Sequence, residues 1–291
     1  MSLSTKLDRR VINPRAIAAA VSVAAAHGIQ TEEPRILADA CSVRVHLHPA
    51  PVVARISTLT PLFRSPIETW LSRELAVADF LVFCNAPVVA PSNLLPPGPH
   101  YEDGFFMSFW QYVQPISDAV PEPAIVGKML AQLHTALREY PGDLPYLAPP
   151  LNDIPRGLKQ LEHYPRDILT PADRELLQET YDRLLPQLSE PAERVQPLHG
   201  DAHALNLIPT VDGLLWNDFE DTCKGPVVWD WVNLDGAGRA AYLDVPPATI
   251  ELYRQLRQLH GLIWAYVLLP EFSDWTEPAQ AMLKNLRDIC S

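Results

Sequence analysis

The segment LHGDAHALNLIP, residues 198–209, concentrates polar side chains that can do chemistry between apolar neighbours. Asp201 and Asn206 are five positions apart, and Asp218 follows the apolar stretch GLLW. Transfer of a phosphoryl group needs Mg²⁺ held by oxygen ligands and a carboxylate that faces the acceptor hydroxyl. Two acids and an amide can supply those oxygens, so the segment indicates a metal-dependent phosphotransfer site.

The order and spacing of these residues match the catalytic loop of protein kinases. That loop reads H-R-D-x-x-x-x-N, and the Asp of a later D-F-G is the second metal ligand. Here H-G-D-A-H-A-L-N (199–206) and D-F-E (218–220) fill the same positions. On this interpretation Asp201 is the catalytic base, and Asn206 and Asp218 hold the metal.

A second interpretation rests on the histidines of the same loop. His199, Asp201 and His203 form H-x-D-x-H, a pattern that could ligate a transition metal in a metallohydrolase. Catalytic zinc sites usually need a third or fourth ligand from a recognisable partner motif, and none is evident. The metallohydrolase is therefore the less favoured alternative.

The composition is that of a folded, acidic protein of enzyme size. The 291 residues include 23 Lys and Arg and 35 Asp and Glu, which gives a net charge of −12. Nucleic acid is not an expected partner, because its binding needs clustered Lys and Arg. The four cysteines are far apart and suggest neither a zinc site nor a disulfide framework, which favours the cytoplasm.

The N-terminus allows one alternative location. Basic residues precede an Ala-rich apolar run there, as in an export signal, but Asn13-Pro14 instead predicts the N-cap and first position of a surface helix. No other apolar stretch approaches the roughly 18 residues of a membrane span. We therefore expect no membrane partner.

The elements that must position the polar residues form a strand-rich first part and a helical second part. Residues 41–58 alternate apolar and polar around a turn at 49–51, which predicts a hairpin. A helix is predicted after Ser65-Pro66, and a strand at FFMSFWQYV. The later helices are predicted from apolar spacing at 124–140, 171–188, 249–269 and 277–290.

Taken together, this pattern resembles the aminoglycoside phosphotransferase and choline kinase-like family, whose signature is H-G-D-x-x-x-x-N followed by a D-F or D-W acid. The resemblance implies an α+β, two-lobed protein-kinase-like fold, with a small β-rich N-lobe over 1–112 and a larger, mostly helical C-lobe over 113–291. It implies ATP and Mg²⁺ as cofactors. The implied reaction moves the γ-phosphoryl group to a hydroxyl of a small molecule that is aminoglycoside-like, a sugar or an amino-alcohol.

The resemblance also assigns roles in the N-lobe. Arg55 in VVARI stands where the family carries its basic phosphate contact, and Glu74 matches the helix partner of that residue. Trp110, Gln111 and Tyr112 in FWQYV look like the hinge that runs along the adenine. In the C-lobe, the resemblance gives the same roles to the acids and the amide as the kinase spacing does.

Two departures from the family pattern motivate another alternative. The lysine that is usual in the family is absent, because no lysine occurs between Lys6 and Lys128. Arg55 would therefore contact the phosphates with a planar guanidinium group instead of the compact ammonium group of a lysine. No glycine occurs between Gly28 and Gly98, so the turn expected over the phosphates near 39–42 is not glycine-rich. The alternative is a nucleotide-binding pseudokinase without transfer activity. Neither the identity of the acceptor nor the oligomeric state follows from any motif.

Overall fold

The fold begins with a helix packed on an antiparallel sheet. The computed structural model describes residues 8–165, 168–188, 195–242 and 245–290, with the side chains of 289 and 290 left aside. The elements of this first part are α1 (Arg9–Ala26), β1 (Thr31–Asp39), β2 (Ser42–Pro49), β3 (Val52–Ser57), α2 (Ile67–Phe83), β4 (His100–Glu102) and β5 (Phe105–Gln111).

The sheet has the order β1-β2-β3-β5-β4, and its two faces have different neighbours. The alanines of α1 pack on one face, against alternate residues of β2 and β3 such as Val45 and Ala54. The intervening residues point to the opposite face, since successive side chains of a strand alternate. Arg44 of β2 is paired with Arg55 of β3, and Arg55 with Ser108 of β5, so these polar residues share the second face.

The second part is mainly helical, with two short strand pairs between the helices. Its long helices enclose the larger apolar core. The strand pairs are β6 with β9 and β7 with β8. The elements are α3 (Pro123–Leu137), α4 (Ala148–Leu161), α5 (Pro171–Leu188), β6 (Val195–Leu198), β7 (Leu207–Thr210), β8 (Gly213–Trp216), β9 (Cys223–Pro226), α6 (Val228–Trp231), α7 (Gly236–Arg239), α8 (Pro247–Leu268) and α9 (Thr276–Cys290).

This architecture confirms the α+β, two-lobed fold expected from the sequence. The chain leaves the sheet at Gln111 and enters its next helix at Pro123. The division at residue 112 lies in this crossing segment and stays a prediction. None of the helices in the described ranges is both long and apolar enough to cross a membrane.

The expected start of α1 is wrong. The helix begins at Arg9, and the Asp8 carboxylate caps it by accepting a hydrogen bond of 2.9 Å from the Arg10 amide. Asn13 lies inside the helix, where its side-chain amide donates to Asp39 at 2.8 Å, and Pro14 also lies inside. The residue that resembled a cap therefore ties α1 to the end of β1.

Candidate active site

The loop after β6 is fixed by the buried carboxylate of Asp230 in α6. One carboxylate oxygen accepts the His199 amide and the other accepts the Gly200 amide, each at 2.8 Å. The His134 ring on α3 approaches the same carboxylate at 2.8 Å. Asp230 is only 1% exposed, so these bonds are shielded from water and hold the loop in one position.

Gly200 gives this loop a conformation that other residues resist. Its φ is +91°, in the left-handed region that favours glycine, and a Cβ added there would lie 1.9 Å from the Asp221 carbonyl oxygen. The Trp229 indole donates to the Gly200 carbonyl at 2.9 Å. The glycine therefore lets the loop pass close to the segment that follows Asp218.

His199 supports the loop with both ring nitrogens. Its Nε2 lies 3.1 Å from the Asn217 carbonyl oxygen, and its Nδ1 lies 3.3 Å from the Asp201 amide. Burial lowers the pKa of this ring, which favours a neutral imidazole that donates from Nε2 and accepts at Nδ1. Neither nitrogen is then free for a metal, and the described part of the chain holds no group of three or more His, Cys, Asp or Glu suited to one. These observations count against the metallohydrolase.

Asp201 projects from the loop toward the cleft, with its side chain 42% exposed. One carboxylate oxygen lies 3.3 Å from Nη1 of Arg257, and the other lies 3.3 Å from Nε2 of His203. Its position in the cleft removes part of its hydration and opposes ionisation, but the hydrogen bond to His203 and the charge of Arg257 outweigh this loss and hold the pKa of Asp201 below its usual range. The side chain is therefore ionised at neutral pH.

Asn206 and Asp218 are brought near each other by the β7–β8 hairpin. Leu207 pairs with Trp216, so Asn206 and Asn217 meet at its end, and Asn217 donates to the Asn206 carbonyl from both its backbone and its side chain. The Asn206 side-chain nitrogen donates to the Asp201 carbonyl at 2.9 Å. This contact ties the predicted base to the predicted metal ligand and leaves Oδ1 as the remaining polar atom of the amide.

Asp218 lies at the centre of the charged groups of the cleft. Its backbone is left-handed, with φ at 67°, which turns the side chain away from the end of β8. Arg44 ion-pairs with one carboxylate oxygen, and Nη2 of Arg55 lies 3.0 Å from the other. Burial favours the neutral acid, yet these two guanidinium groups keep the pKa of Asp218 at about 2.

The sequence-predicted pair of Arg55 and Glu74 is present and buried. Arg55 on β3 ion-pairs with Glu74 on α2, and the two side chains are 5% and 1% exposed. Arg55 also ion-pairs with Glu220. Burial raises the pKa of Glu74 to about 7, in spite of the nearby guanidinium. The pair fixes α2 against the sheet.

Two cavities of about 290 Å³ each meet in the cleft between the lobes. The first, here called the donor cavity, is lined by the predicted hinge residues together with Arg55, Glu74 and Asp218. The second, the acceptor cavity, is lined by Asp201, Arg55 and Asp218 and by residues of α8. Both cavities share Arg44, Arg55 and Asp218, so the two spaces join at these charges. Asn206 lines neither cavity.

The hinge residues form one wall of the donor cavity. The Tyr112 ring stacks on His46 of β2 with ring centroids 3.7 Å apart, and the Trp110 indole donates to the Ser108 hydroxyl at 2.9 Å. The Gln111 and Tyr112 amides are bonded to neighbouring carbonyl groups. The next amide, that of Val113, has no hydrogen-bond partner within the described part of the chain, and Val113 lines the cavity. A free backbone donor beside aromatic side chains suits a nucleobase.

Several charged residues of the cleft were missed by reasoning from the sequence. They are Arg44, Arg64, Glu220, Asp221 and Arg257. Glu220 and Asp221 stand beside the D-F motif in the run DFED, which is a signal that could have identified them. No sequence motif around Arg64 or Arg257 predicts a place in the cleft, because their ion-pair partners lie far away in sequence.

Comparison with known proteins finds likenesses in sequence and in fold. The family model described as the phosphotransferase enzyme family matches residues 43–234, which is more than half of the chain. No curated protein matches the sequence.

Many solved structures have a similar fold. A microcompartment-associated aminopropanol kinase matches with a TM-score of 0.65 at 15% identity, covering 92% of this chain and 94% of that one. Amicoumacin kinase, in complex with AMP-PNP and Ca²⁺, gives 0.63 at 14% identity and covers 92% of both chains. A choline/ethanolamine kinase family protein from Mesorhizobium loti gives 0.57 at 18% identity and covers 94% of both. At these identities the likeness concerns the fold.

Proposed function

The chain belongs to the phosphotransferase enzyme family, and from this premise we propose that it is an ATP- and Mg²⁺-dependent kinase of a small hydroxyl compound. The observation that carries the proposal is the junction of the two cavities. A space suited to a nucleotide and a space lined by the partly exposed carboxylate of Asp201 meet at Asp218. A donor phosphoryl group at that junction would face Asp201 from the other side.

The residues near the junction fit a magnesium ion. Oδ1 of Asp218 is buried and accepts no hydrogen bond within the described residues, although Nη2 of Arg55 lies 3.0 Å from it as an ion-pair partner. Asn206 offers its side-chain oxygen, since its nitrogen is used by the Asp201 carbonyl. Carboxylate and amide oxygens are ligands that hard cations prefer. When bound, Mg²⁺ would neutralise charge on the nucleotide phosphates.

The protein's own residues supply the remaining chemistry in this proposal. Trp110, Gln111 and Tyr112 place the nucleobase, and Arg55 faces the phosphates while Glu74 holds it. Asp201 accepts the proton of the acceptor hydroxyl as its oxygen bonds to the γ-phosphorus, and the bond to the ADP oxygen breaks. The low pKa of Asp201 means that the group is already ionised when the acceptor arrives, as a proton acceptor must be.

The charges of the acceptor cavity favour a neutral or singly charged acceptor. Glu220 lies 2.9 Å from Arg64, Asp221 lies 2.7 Å from Arg64, and Asp201 is paired with Arg257. The positive and negative charges of the wall are therefore equal in number. Its four guanidinium groups and four carboxylates belong to Arg44, Arg55, Arg64 and Arg257 and to Asp201, Asp218, Glu220 and Asp221. A polycationic aminoglycoside needs unpaired carboxylates, so we propose a sugar or an amino-alcohol instead.

The experiment that tests the proposed function is acceptor-dependent conversion of ATP to ADP. A panel of sugars, amino-alcohols and polycationic aminoglycosides would be assayed with and without Mg²⁺. We expect Mg²⁺-dependent turnover with a member of the first two classes. Nucleotide binding without turnover on any acceptor would favour the pseudokinase, and turnover on aminoglycosides alone would refute the acceptor class.

Asp218→Asn is expected to abolish the advantage that Mg²⁺ gives to nucleotide binding. The amide loses the negative charge that a hard cation prefers, and loss even of groups that only orient metal ligands costs about 10- to 100-fold in affinity. Titration calorimetry with AMP-PNP, with Mg²⁺ and with a chelator, would measure the effect. Equal losses in both conditions would make Asp218 a structural turn residue.

Arg55→Lys and Arg55→Ala are expected to behave differently. The alanine variant leaves Glu74 buried without its cation, and removal of one partner of a buried ion pair costs about 3–5 kcal/mol of stability. Lysine keeps the charge and restores the residue usual in the resembled family, so nucleotide binding should persist. Denaturant unfolding and nucleotide titration of both variants would check this. Unchanged nucleotide affinity in a folded Arg55→Ala protein would remove Arg55 from the phosphate site.

A further inference from the structure

Both carboxylate oxygens of Asp218 face a guanidinium group in this structure. Arg44 takes one oxygen and Arg55 lies 3.0 Å from the other. A metal ion needs at least one of these oxygens, and a cation cannot approach closely while both are paired. One arginine must therefore leave Asp218 before a metal can bind there.

The two arginines differ in how firmly they are held. Arg55 is 5% exposed and contacts Glu74, Glu220 and the Ser42 hydroxyl in addition to Asp218. Arg44 has a side chain that is 32% exposed, and within the described part of the chain Asp218 is its ion-pair partner. Since Arg44 has fewer contacts and more contact with water, it is the arginine that can move.

Arg44 is also placed to reach the nucleotide phosphates. It lies opposite Arg55 in the β2–β3 register and lines both the donor and the acceptor cavity. The turn between β1 and β2, at Ala40 and Cys41, has no glycine, so a glycine-rich backbone cradle for phosphates is missing. A planar guanidinium is well suited to phosphate oxygens and can replace such contacts.

We propose that Arg44 occupies the Asp218 carboxylate while the site holds no nucleotide and moves to the nucleotide phosphates when the metal–nucleotide complex binds. This inference rests on the proposed function, because it takes Asp218 as the metal ligand and the donor cavity as the nucleotide site. Arg44 then has two effects of opposite sign. It weakens binding of a metal alone by competing for Asp218, and it strengthens binding of the metal–nucleotide complex.

The opposite signs give a direct test with Arg44→Gln. Binding of Mn²⁺ to the nucleotide-free protein would be followed by electron paramagnetic resonance of the free ion, and AMP-PNP binding in the presence of Mg²⁺ by calorimetry. Arg44→Lys keeps the positive charge on a shorter side chain. It should therefore restore part of the competition with the metal and part of the binding to the nucleotide phosphates. Arg35→Gln is the matched control, because Arg35 is an exposed arginine of the neighbouring strand β1 and is paired with Glu33.

We expect Arg44→Gln to bind Mn²⁺ more tightly than the wild type and to bind AMP-PNP about 10- to 100-fold more weakly, because one charge-assisted hydrogen bond to the phosphates is lost. Arg35→Gln should change neither affinity. If either affinity of Arg44→Gln equals that of the wild type, or if both fall together, the inference is overturned. If the wild type binds no nucleotide, the proposed function itself fails, which is a separate result.

Discussion

Asp201→Asn is expected to lower turnover by about 10²- to 10⁴-fold, the contribution of a positioned general base. The amide cannot accept the proton of the acceptor hydroxyl, but it keeps the shape of the side chain. Nucleotide affinity should stay close to that of the wild type, because Asp201 lines the acceptor cavity and is absent from the wall of the donor cavity. Steady-state kinetics and AMP-PNP titration on the same variant measure the two quantities.

The same experiment separates catalysis from support of the loop. If Asp201 only braced the loop through Arg257 and His203, its replacement would lower nucleotide affinity and melting temperature together with turnover. Asp212→Asn is a suitable control, since Asp212 is an exposed acid in the β7–β8 turn. Turnover of Asp201→Asn equal to that of Asp212→Asn would remove Asp201 from the catalytic role.

Asp230→Ala is expected to lower the free energy of unfolding by about 3 kcal/mol or more. Three buried groups, the His199 amide, the Gly200 amide and the His134 ring, would lose their acceptor, and each unsatisfied buried polar group costs about 1–3 kcal/mol. Turnover should also fall, because the loop that carries Asp201 would no longer be fixed. Urea unfolding followed by circular dichroism gives the stability change.

Asp235→Ala provides the comparison for that loss. Asp235 lies five residues further on, and its side chain caps α7 by accepting the Gly238 amide at 2.9 Å. Loss of an N-cap of this kind costs about 0.5–2 kcal/mol. A stability loss for Asp230→Ala no larger than that for Asp235→Ala would contradict the view that Asp230 anchors the catalytic loop.

The sequence predicted those parts of the fold that depend on local patterns. The helix expected over 171–188 is α5 (Pro171–Leu188), and the hairpin expected within 41–58 is formed by β2 and β3. Apolar periodicity and turn residues determine such elements over short distances. For the same reason, the spacing from Asp201 to Asn206 was readable without a structure.

β1 and α4 are among the elements that the sequence did not predict, because their patterns are weak. The edge strand β1 is exposed over most of its length and includes Pro34, so it lacks the alternation of a half-buried strand. The helix α4 has three prolines, at 149, 150 and 155, which usually indicate a loop. β1 is held by its pairing with the adjacent strand β2, whereas α4 is held by packing against the distant helix α8.

The charged network of the cleft was equally hidden from the sequence. Arg64 contacts Asp153 at 3.1 Å and Asp221 at 2.7 Å, which joins segments of the chain separated by many residues. Arg257 on α8 reaches back to the loop and lies 3.6 Å above the Trp229 ring. Such contacts depend on tertiary structure, so no sequence motif around either arginine could have predicted them.

The most direct measurement of the central claim is transfer of the γ-phosphoryl group itself. ATP labelled at the γ-phosphate would be incubated with the protein, Mg²⁺ and each sugar or amino-alcohol, and the acceptor fraction would be analysed for label. We predict a labelled phosphate ester with one of these acceptors, dependent on Mg²⁺ and strongly reduced for Asp201→Asn. Label that stays on the nucleotide for every acceptor, in a protein that binds ATP with Mg²⁺, would contradict the claim.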